Sequence, residues 1–329
     1  MSLEKPSESG YINPFDLTRS LSRFEPASPV NFPPPETANS TETGPESSSL
    51  ADPFRISPKR IDVAFLPALV RPESLLDRTV ILTDVLRATT TIIHALFNGC
   101  QQVLPQPTIE AARACHAQVA NSVMGGERGG KIIAGFHQGN SPLEYTRDRI
   151  GGKSLVLATT NGTVAMEHCR TAKRILIGAM INLGAIAGQL TEHDRVTVVC
   201  SGTDGHITSE DVIFAGAMVE RILASTIPVI SGKDNSTTEF TSGPQVQHEH
   251  LSDLAAIALN HWQSTSRAIA QGAKLSQFFR LARGGINLVK IGLDADIEFA
   301  AQIDAVPIIP ELDVAGWSIR VPTSPTIVS

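Results

Sequence analysis

Paired cysteines are missing from this chain of 329 residues. Its cysteines, Cys100, Cys115, Cys169 and Cys200, never form a C-x-x-C pair, which argues against a zinc ribbon or a thioredoxin-type redox site. We expect reduced and mostly buried thiols, as in a cytoplasmic protein.

Long apolar segments are missing as well. The most apolar run, residues 175–190, is shorter than the ~20 residues that span a bilayer, and Asn182 and Gln189 interrupt it. The N-terminus carries acids and prolines where a signal peptide would have an apolar core. We therefore expect a cytoplasmic protein with no membrane partner.

An excess of positive charge is the third absence. The formal net charge is −6, whereas a nucleic-acid or anionic membrane surface would need a basic patch, so we expect no nucleic-acid partner. An acidic protein can still bind an anion locally. With 42% hydrophobic and 18% charged residues, the chain can bury a sizeable core.

The chain divides by composition into a tail and a folded part. Residues 1–58 are dense in Pro, Ser, Glu and Thr, and they cannot bury enough apolar surface to offset the entropy of ordering, so we expect a disordered tail. Residues 59–329 form the folded part, in which a second subdomain, if there is one, would start near residue 236. We find no internal repeat.

Strand, loop and helix patterns alternate along the folded part. This alternation predicts an α/β fold with a largely parallel sheet. The predicted strands cover residues 61–70, 79–83, 101–104, 122–124, 154–159, 174–178 and 196–200, and the predicted helices cover 89–97, 109–120, 183–190, 211–224, a segment from about 164, and a region from about 250 to 281. Helix and strand pieces close the domain.

The segment 125–144, GGERGGKIIAGFHQGNSPLE, is rich in glycine and polar residues, whereas a segment of the core would be rich in Val and Leu. Its glycines let the backbone turn and approach a ligand closely. Glu127 and Arg128 place an acid and a guanidinium on the same turn. Ser141, Pro142 and Glu144 are typical of a capping box and predict that a helix begins there.

Three predicted strands end in polar turns, which follow residues 83, 159 and 200. In an open α/β sheet, ligands bind outside the carboxyl ends of the strands, so these turns and the glycine segment should line one crevice. The crevice would contain the carboxylates Asp84, Glu127, Asp204, Glu210 and Asp211, the cations Arg87 and Arg128, and the polar or small residues Thr89, Thr90, Asn140, Thr160, Asn161, Gly162, Thr163, Ser201, Gly202 and Thr203.

The composition of this crevice favours two kinds of ligand. Carboxylates with few histidines favour a hard cation such as Mg²⁺. Arginines and free backbone N–H groups favour an oxyanion, most naturally a phosphate. A P-loop is excluded, because Ile132 stands where Ser or Thr would hold Mg²⁺.

Several of these residues also have purely structural explanations. Asp84 could cap the helix behind it, and Arg87 could lie on the surface of that helix. A capping box and the helix dipole alone could explain Glu210 and Asp211. Gly162 fits a turn whatever the function.

Five segments together resemble the 2-phosphosulfolactate phosphatase family. They read TDVLRATTTI, GGERGGKIIAGFHQGNSPLEY, ATTNGTVAM, CSGTDGHITSEDVIFAG and GLDADIEFAAQIDAVPIIP, and they cover most of residues 61 to 310 in the family's order. The tail lies outside the resemblance.

The resemblance implies a Mg²⁺-dependent phosphohydrolase on a three-layer α/β/α fold, which converts 2-phosphosulfolactate to sulfolactate and phosphate. Asp84, Arg87, Glu127 and Arg128 would be catalytic, and Asp84, Glu127, Glu210 and Asp211 are the expected metal ligands. The remaining polar residues of the crevice would bind the small anionic phosphorylated substrate. A phosphatase for another phosphorylated 2-hydroxy acid and a non-catalytic binding protein for a phosphorylated metabolite stay open as alternatives. Oligomeric state is not readable, although an enzyme of this size is often a dimer.

Overall fold

The computed structural model of the chain describes residues 61–190, 195–224 and 251–322. All of them belong to a compact unit that begins at Arg55. The predicted tail, the polar loop after residue 230 and the predicted subdomain boundary near residue 236 lie outside the described residues. Within those residues, no helix combines the length and apolarity that crossing a membrane requires.

Ten strands form a mixed sheet, which confirms the predicted α/β class. They are β1 (Ile61–Ala64), β2 (Thr79–Thr83), β3 (Gln102–Pro105), β4 (Ser122–Arg128), β5 (Lys131–Ile132), β6 (Ser154–Ala158), β7 (Arg174–Gly178), β8 (Val196–Cys200), β9 (Glu311–Asp313) and β10 (Ser318–Arg320). The strand order is β1-β8-β2-β7-β9-β10-β3-β6-β4-β5.

The sheet consists of two parallel blocks, which are connected by a hairpin. The first block is β1-β8-β2-β7 and the second is β3-β6-β4. The β9–β10 hairpin lies between them and pairs antiparallel with β7 on one side and with β3 on the other. Three antiparallel steps separate the blocks, so their strands run in opposite directions.

Helices cover both faces of the sheet. They are α1 (Ala88–Phe97), α2 (Ile109–Gln118), α3 (Arg147–Ile150), α4 (Gly162–His168), α5 (Leu183–Gln189), α6 (Ser209–Ala224), α7 (Asp253–Ala270), α8 (Leu275–Leu281), α9 (Arg283–Lys290) and α10 (Asp294–Ala300). The predicted helical region from about 250 to 281 contains two helices, α7 and α8.

The alternation of side chains along β2 produces the layers. All five residues of β2 are buried, as expected for a strand of a parallel block that is covered on both faces. Ile81 belongs to a core that includes Phe214 of α6, whereas Val80 and Leu82 belong to a second core with Ile92 of α1. Burial of each such side chain contributes about 1.5–3 kcal/mol. The result is an α/β/α arrangement.

Two local expectations about the glycine segment were wrong. Gly125 and Gly126 do not belong to a loop, because β4 continues through them and pairs with Leu157 and Ala158 of β6. A Cβ on Gly126 would lie 2.1 Å from the carbonyl oxygen of Ala158, so the close strand contact requires glycine.

The predicted capping box at Ser141 is also absent. Pro142–Glu144 form a single 3₁₀ turn, and Ser141 makes no capping hydrogen bond. The Ser141 hydroxyl instead donates to Asp296 Oδ1 of α10, at 2.5 Å. Glu144 Oε2 accepts from the backbone N–H of Gly139. A long-range partner of Ser141 and a different backbone partner of Glu144 therefore replace the expected cap.

Candidate active site

A cavity of about 320 Å³ lies where the carboxyl ends of the two parallel blocks meet. The turn after β2 forms one side, and the turn after β6 approaches it so closely that a Cβ on Gly162 would lie 2.7 Å from the Cβ of Ala88. The predicted residues on the wall are Asp84, Arg87, Glu127, Asn140, Thr160, Asn161, Thr203 and Asp204. Polar turns that follow strands of both blocks, which run in opposite directions, therefore line one crevice.

Asp84 is held at the cavity by the start of α1. Its Oδ1 accepts from the backbone N–H of Ala88 at 3.1 Å, so the structural explanation of Asp84 as a cap applies to one oxygen. Its Oδ2 accepts no hydrogen bond from the described residues and lies beside Gly162. One oxygen is therefore available to a ligand.

The hydroxyls of Thr89 and Thr90 hold the Asp84 turn together. Thr89 Oγ1 accepts from the Asp84 N–H and donates to the Asp84 carbonyl, at 3.0 and 2.9 Å. Thr90 Oγ1 donates to the Val85 carbonyl at 2.8 Å. Both residues are fully buried and lie outside the cavity wall. These bonds support the geometry of the Asp84 turn, and the predicted contact of Thr89 and Thr90 with substrate stays a prediction.

Glu127 connects the glycine segment to the turn after β6. Its Oε1 accepts from the N–H and hydroxyl of Thr160, at 2.9 and 2.8 Å, and its Oε2 accepts from the Gly130 N–H at 2.8 Å. Arg128 donates to the Glu127 carbonyl and lies outside the cavity wall. Both carboxylate oxygens of Glu127 therefore have donors from the protein itself.

A buried ion pair holds Arg87 at the site. It donates to Asp296 Oδ2 at 2.6 Å and to the Gly130 carbonyl at 2.9 Å, and only 4% of its surface is exposed. Asp296 lies on α10 and was not predicted from the sequence, although it belongs to the last of the resembling segments. Since Asp296 balances its charge, Arg87 adds little net positive charge to the cavity.

Asp211 lies beneath the cavity and connects two loops. Its Oδ1 accepts from the Val85 N–H at 2.9 Å, and its Oδ2 accepts from the Gly202 N–H at 3.0 Å. Gly202 has φ +65°, and a Cβ there would lie 2.4 Å from the His206 carbonyl oxygen, so the turn requires glycine. Asp211 therefore fixes the turns after β2 and β8 against each other.

Three buried carboxyl groups influence each other's protonation. Burial, followed by the negative charge of Asp211, raises the pKa of Asp84 from 3.8 to about 8. Burial raises the pKa of Asp211 to about 6, although backbone N–H donors oppose this shift. Burial and the charge of Asp211 also raise the pKa of Glu210 well above its ordinary value. A nearby cation would favour the charged form of all three groups.

Several buried polar atoms at the site have no hydrogen-bond partner within the described residues. They include Glu210 Oε2, Asn140 Oδ1 and Ser201 Oγ. An unpaired buried polar group costs about 1–3 kcal/mol, so native proteins rarely leave several of them together without a ligand or water. Glu210 Oε1 lies against Gly284 of α9, a residue of the cavity wall.

The chemistry of these oxygens fits a hard cation, whereas a complete cage of protein ligands is absent. No group of three or more His, Cys, Asp or Glu residues is arranged to hold a metal ion in the part of the chain that the structure describes. Mg²⁺ does not require such a cage, because it keeps several waters and binds through one or two carboxylates together with substrate phosphate.

The other predicted residues lie behind the wall. Thr163 Oγ1 is 3.2 Å from Thr159 Oγ1, and Thr159 lines the cavity. Glu210, Asp211 and Ser201 form the layer below Asp84, so their predicted contact with substrate or metal stays a prediction. For Asp211, the capping explanation is incomplete, since both of its carboxylate oxygens accept from backbone N–H groups outside α6.

The cavity residues that were not predicted from the sequence include two polar side chains of α9, Asn287 and Lys290. They follow no strand, and only the tertiary packing of α9 brings them to the carboxyl ends of β2 and β6. In the sequence, Asn287 and Lys290 are recognisable only as an amide and a cation one helical turn apart. Surface helices commonly show the same pattern, so it does not indicate a site.

Comparison with known proteins gives a consistent result. A model of the 2-phosphosulpholactate phosphatase family matches residues 64–314. A Clostridium novyi protein named "Probable 2-phosphosulfolactate phosphatase" is 33% identical over 254 residues, which are 77% of this chain and 96% of that protein. Proteins of the same name from Clostridium kluyveri and Deinococcus radiodurans are 34% and 32% identical over 77% and 76% of the chain, and over 94% and 95% of their own lengths.

Proposed function

Because the chain belongs to the 2-phosphosulpholactate phosphatase family, we propose that it hydrolyses 2-phosphosulfolactate to sulfolactate and inorganic phosphate. The observation that carries this proposal is the position of Asp84. It lies on the cavity wall with one free oxygen, beside Arg87 and between the turns that follow β2 and β6. Such a site combines an acid, a cation and hydrogen-bond donors, which are the groups that phosphoryl transfer requires.

The charge of the cavity supports a cation requirement. Asp84, Glu127 and Asp204 line the cavity, whereas its cations are Arg87, which is paired with Asp296, and Lys290. A substrate with phosphate, carboxylate and sulfonate groups would meet net repulsion in this cavity. A bound divalent cation such as Mg²⁺ would reverse that repulsion.

Asp84 and Glu210 are the acids best placed to hold the metal. Each has an oxygen without a hydrogen-bond donor among the described residues, and the two groups interact electrostatically. Glu127 on the cavity wall and Asp211 below it would support them, because both oxygens of each carboxylate already accept from backbone N–H groups. When bound, Mg²⁺ would polarise a phosphoryl oxygen and lower the pKa of a bound water.

The side chains of the chain itself would bind and orient the phosphate. Arg87 is fixed by Asp296 and Gly130, and these two bonds leave further N–H groups of its guanidinium for phosphoryl oxygens. Asn161, Thr160 and Thr203 line the same wall and add amide and hydroxyl groups. They would neutralise the charge that spreads over the equatorial oxygens.

Phosphate release from 2-phosphosulfolactate tests this proposal, with 2-phospholactate as second substrate, in Mg²⁺ and in excess chelator. We expect metal-dependent release by the wild-type protein. Asp84→Asn should lower kcat by about 100-fold or more, because it removes a charged group at the reacting centre. Titration calorimetry should show that this variant still binds substrate. Asp148→Asn, on an exposed position of α3, is the matched control and should behave as wild type.

The other outcomes are equally informative. Equal rates with both substrates would support phosphatase activity but contradict 2-phosphosulfolactate as the specific substrate. Wild-type activity in Asp84→Asn would remove Asp84 from the mechanism. Binding without release from either substrate would favour a non-catalytic binding protein.

A further inference from the structure

Lys290 is a cation of the cavity without a carboxylate partner. It lies at the end of α9, is exposed, and forms no ion pair with the described residues. Arg87, in contrast, is buried and neutralised by Asp296 at 2.6 Å. An anionic group of the substrate therefore gains more net attraction from Lys290 than from Arg87.

Helix α9 runs along the cavity wall, with lining residues from near its start to its last residue. At its start, Gly284 lies against Glu210, such that an added Cβ would be 2.2 Å from Glu210 Oε1. Just beyond its end, Ile291 Cδ1 would lie 2.8 Å from a Cβ on Gly130. These two contacts fix both ends of the helix on the site.

The length of α9 separates Lys290 from the acids. Six residues after Gly284, at a rise of about 1.5 Å per residue, place the Lys290 backbone about 9 Å further along the helix axis. Asn287 lies between them on the cavity wall. Because Asp84 and Lys290 line the same cavity, a three-carbon acid whose phosphate lies at Asp84 could place its other end within reach of the long lysine side chain.

We propose that Lys290, with the Asn287 amide beside it, binds the sulfonate of the substrate and selects sulfonated over unsulfonated phosphohydroxy acids. This inference rests on the proposed function, which supplies the phosphate position. A sulfonate stays ionised at neutral pH and offers three acceptor oxygens, which suits the three rotatable N–H donors of an ammonium group. The carboxylate is common to both test substrates and does not contribute to the selection.

The test compares kcat/KM for 2-phosphosulfolactate and 2-phospholactate, which carries a methyl group in place of the sulfonated carbon. We expect Lys290→Gln to lower the ratio of the two values about tenfold, as the loss of one charge-assisted hydrogen bond predicts, mainly through KM. Lys290→Arg keeps the charge and should restore most of the ratio. Lys274→Gln, an exposed lysine before α8, is the matched control and should keep the wild-type ratio.

Two results would overturn this inference and leave the proposed function intact. One is an unchanged ratio in Lys290→Gln, and the other is an equal loss with both substrates, which would assign Lys290 to the phosphate or to general attraction. Both require phosphate release by the wild-type protein, so they differ from failure of the proposed function. Absence of release by the wild-type protein would overturn the proposed function, and with it the substrate of this site.

Discussion

Asp84, Glu210 and Asp211 form a cluster of like charges below and beside the cavity. None of them forms an ion pair with a residue that the structure describes, and desolvation together with mutual repulsion favours their protonated forms. The protein nevertheless concentrates them at the carboxyl ends of β2 and β8. Stability is reduced at such a site unless a ligand compensates the charge, as is common where function determines the residues.

This cluster predicts an unusual dependence of stability on pH. Between about pH 4 and pH 8 the folded protein retains carboxyl protons that the unfolded chain has already lost, so metal-free stability should fall as the pH rises. Mg²⁺ binds the deprotonated acids and should therefore raise the melting temperature more at pH 8 than at pH 5. Thermal unfolding with chelator and with Mg²⁺ measures both effects.

Two variants show whether the effect of Mg²⁺ comes from this cluster or from other acids of the protein. Glu210→Gln should reduce the effect of Mg²⁺ on the melting temperature, whereas Asp148→Asn should leave it unchanged. A metal-free melting temperature that rises from pH 5 to pH 8 would contradict the assignment, and so would an equal Mg²⁺ effect at both values.

The sequence allowed prediction of individual site residues where they directly follow strands. Asp84 and Thr160 follow β2 and β6, and both line the cavity as expected. Thr89 and Thr90 lie in the same polar turn but serve the backbone, a distinction that composition cannot show. Lys290 and Asp296 could not be predicted as site residues, because only tertiary packing of the C-terminal helices brings them there.

At the scale of elements, the contact between α6 and α7 holds Glu210 and Asp211 in place. Gly216 lies in the middle of α6, and a Cβ at this position would be 2.0 Å from the carbonyl oxygen of Ala258 and 2.7 Å from the Cβ of Trp262. Because one of these neighbours is backbone of α7, the helices would have to separate. The first turn of α6 carries the two acids, so its position depends on this packing.

Gly216→Ala should therefore destabilise the protein, by about 1–3 kcal/mol. Gly188→Ala is the matched control, since Gly188 lies in helix α5 with no atom within 4 Å of an added Cβ. There the change should stabilise the helix by about 0.5–1 kcal/mol. Urea unfolding of both variants measures the difference, and equal effects at the two positions would contradict the close packing.

Elements themselves were predictable to different degrees. The bounds of β2, β7 and β8 agree with the sequence, because buried parallel strands are short apolar runs with clear polar ends. The capping box predicted at Ser141 is absent because the Ser141 hydroxyl bonds across the fold to Asp296, while Glu144 accepts from Gly139. Local patterns predict local partners, whereas the partner of Ser141 lies 155 residues away in sequence.

At the scale of the whole molecule, one core connects the two parallel blocks. Leu82 and Ile177 of the first block share a buried cluster with Val103 and Leu155 of the second, and Ile319 of the hairpin belongs to it too. The sequence predicted a largely parallel or mixed sheet, and the sheet is mixed, with two parallel blocks that run in opposite directions. The antiparallel hairpin was not predictable, because β9 and β10 have only three residues each.

The shared core predicts that both blocks unfold together. The chain has two tryptophans, Trp262 on α7 and Trp317 beside the hairpin, and the Trp317 indole N–H donates to the Pro105 carbonyl. Trp262→Phe and Trp317→Phe variants each leave one probe. Fluorescence in urea should give the same midpoint as circular dichroism within each variant, whereas clearly separated midpoints would indicate independent blocks.

The late position of the hairpin in the chain has a consequence for synthesis. Residues 311–320, which form the β9–β10 hairpin, leave the ribosome after β3 and β7, the strands that they join. A nascent chain therefore contains the strands of both blocks before the hairpin that connects them has been synthesised. Helix α10, with the partner of Arg87, also emerges only shortly before. A chain interrupted before residue 320 would therefore leave apolar strand edges open to aggregation and degradation, and phosphatase activity would report that translation has passed this point.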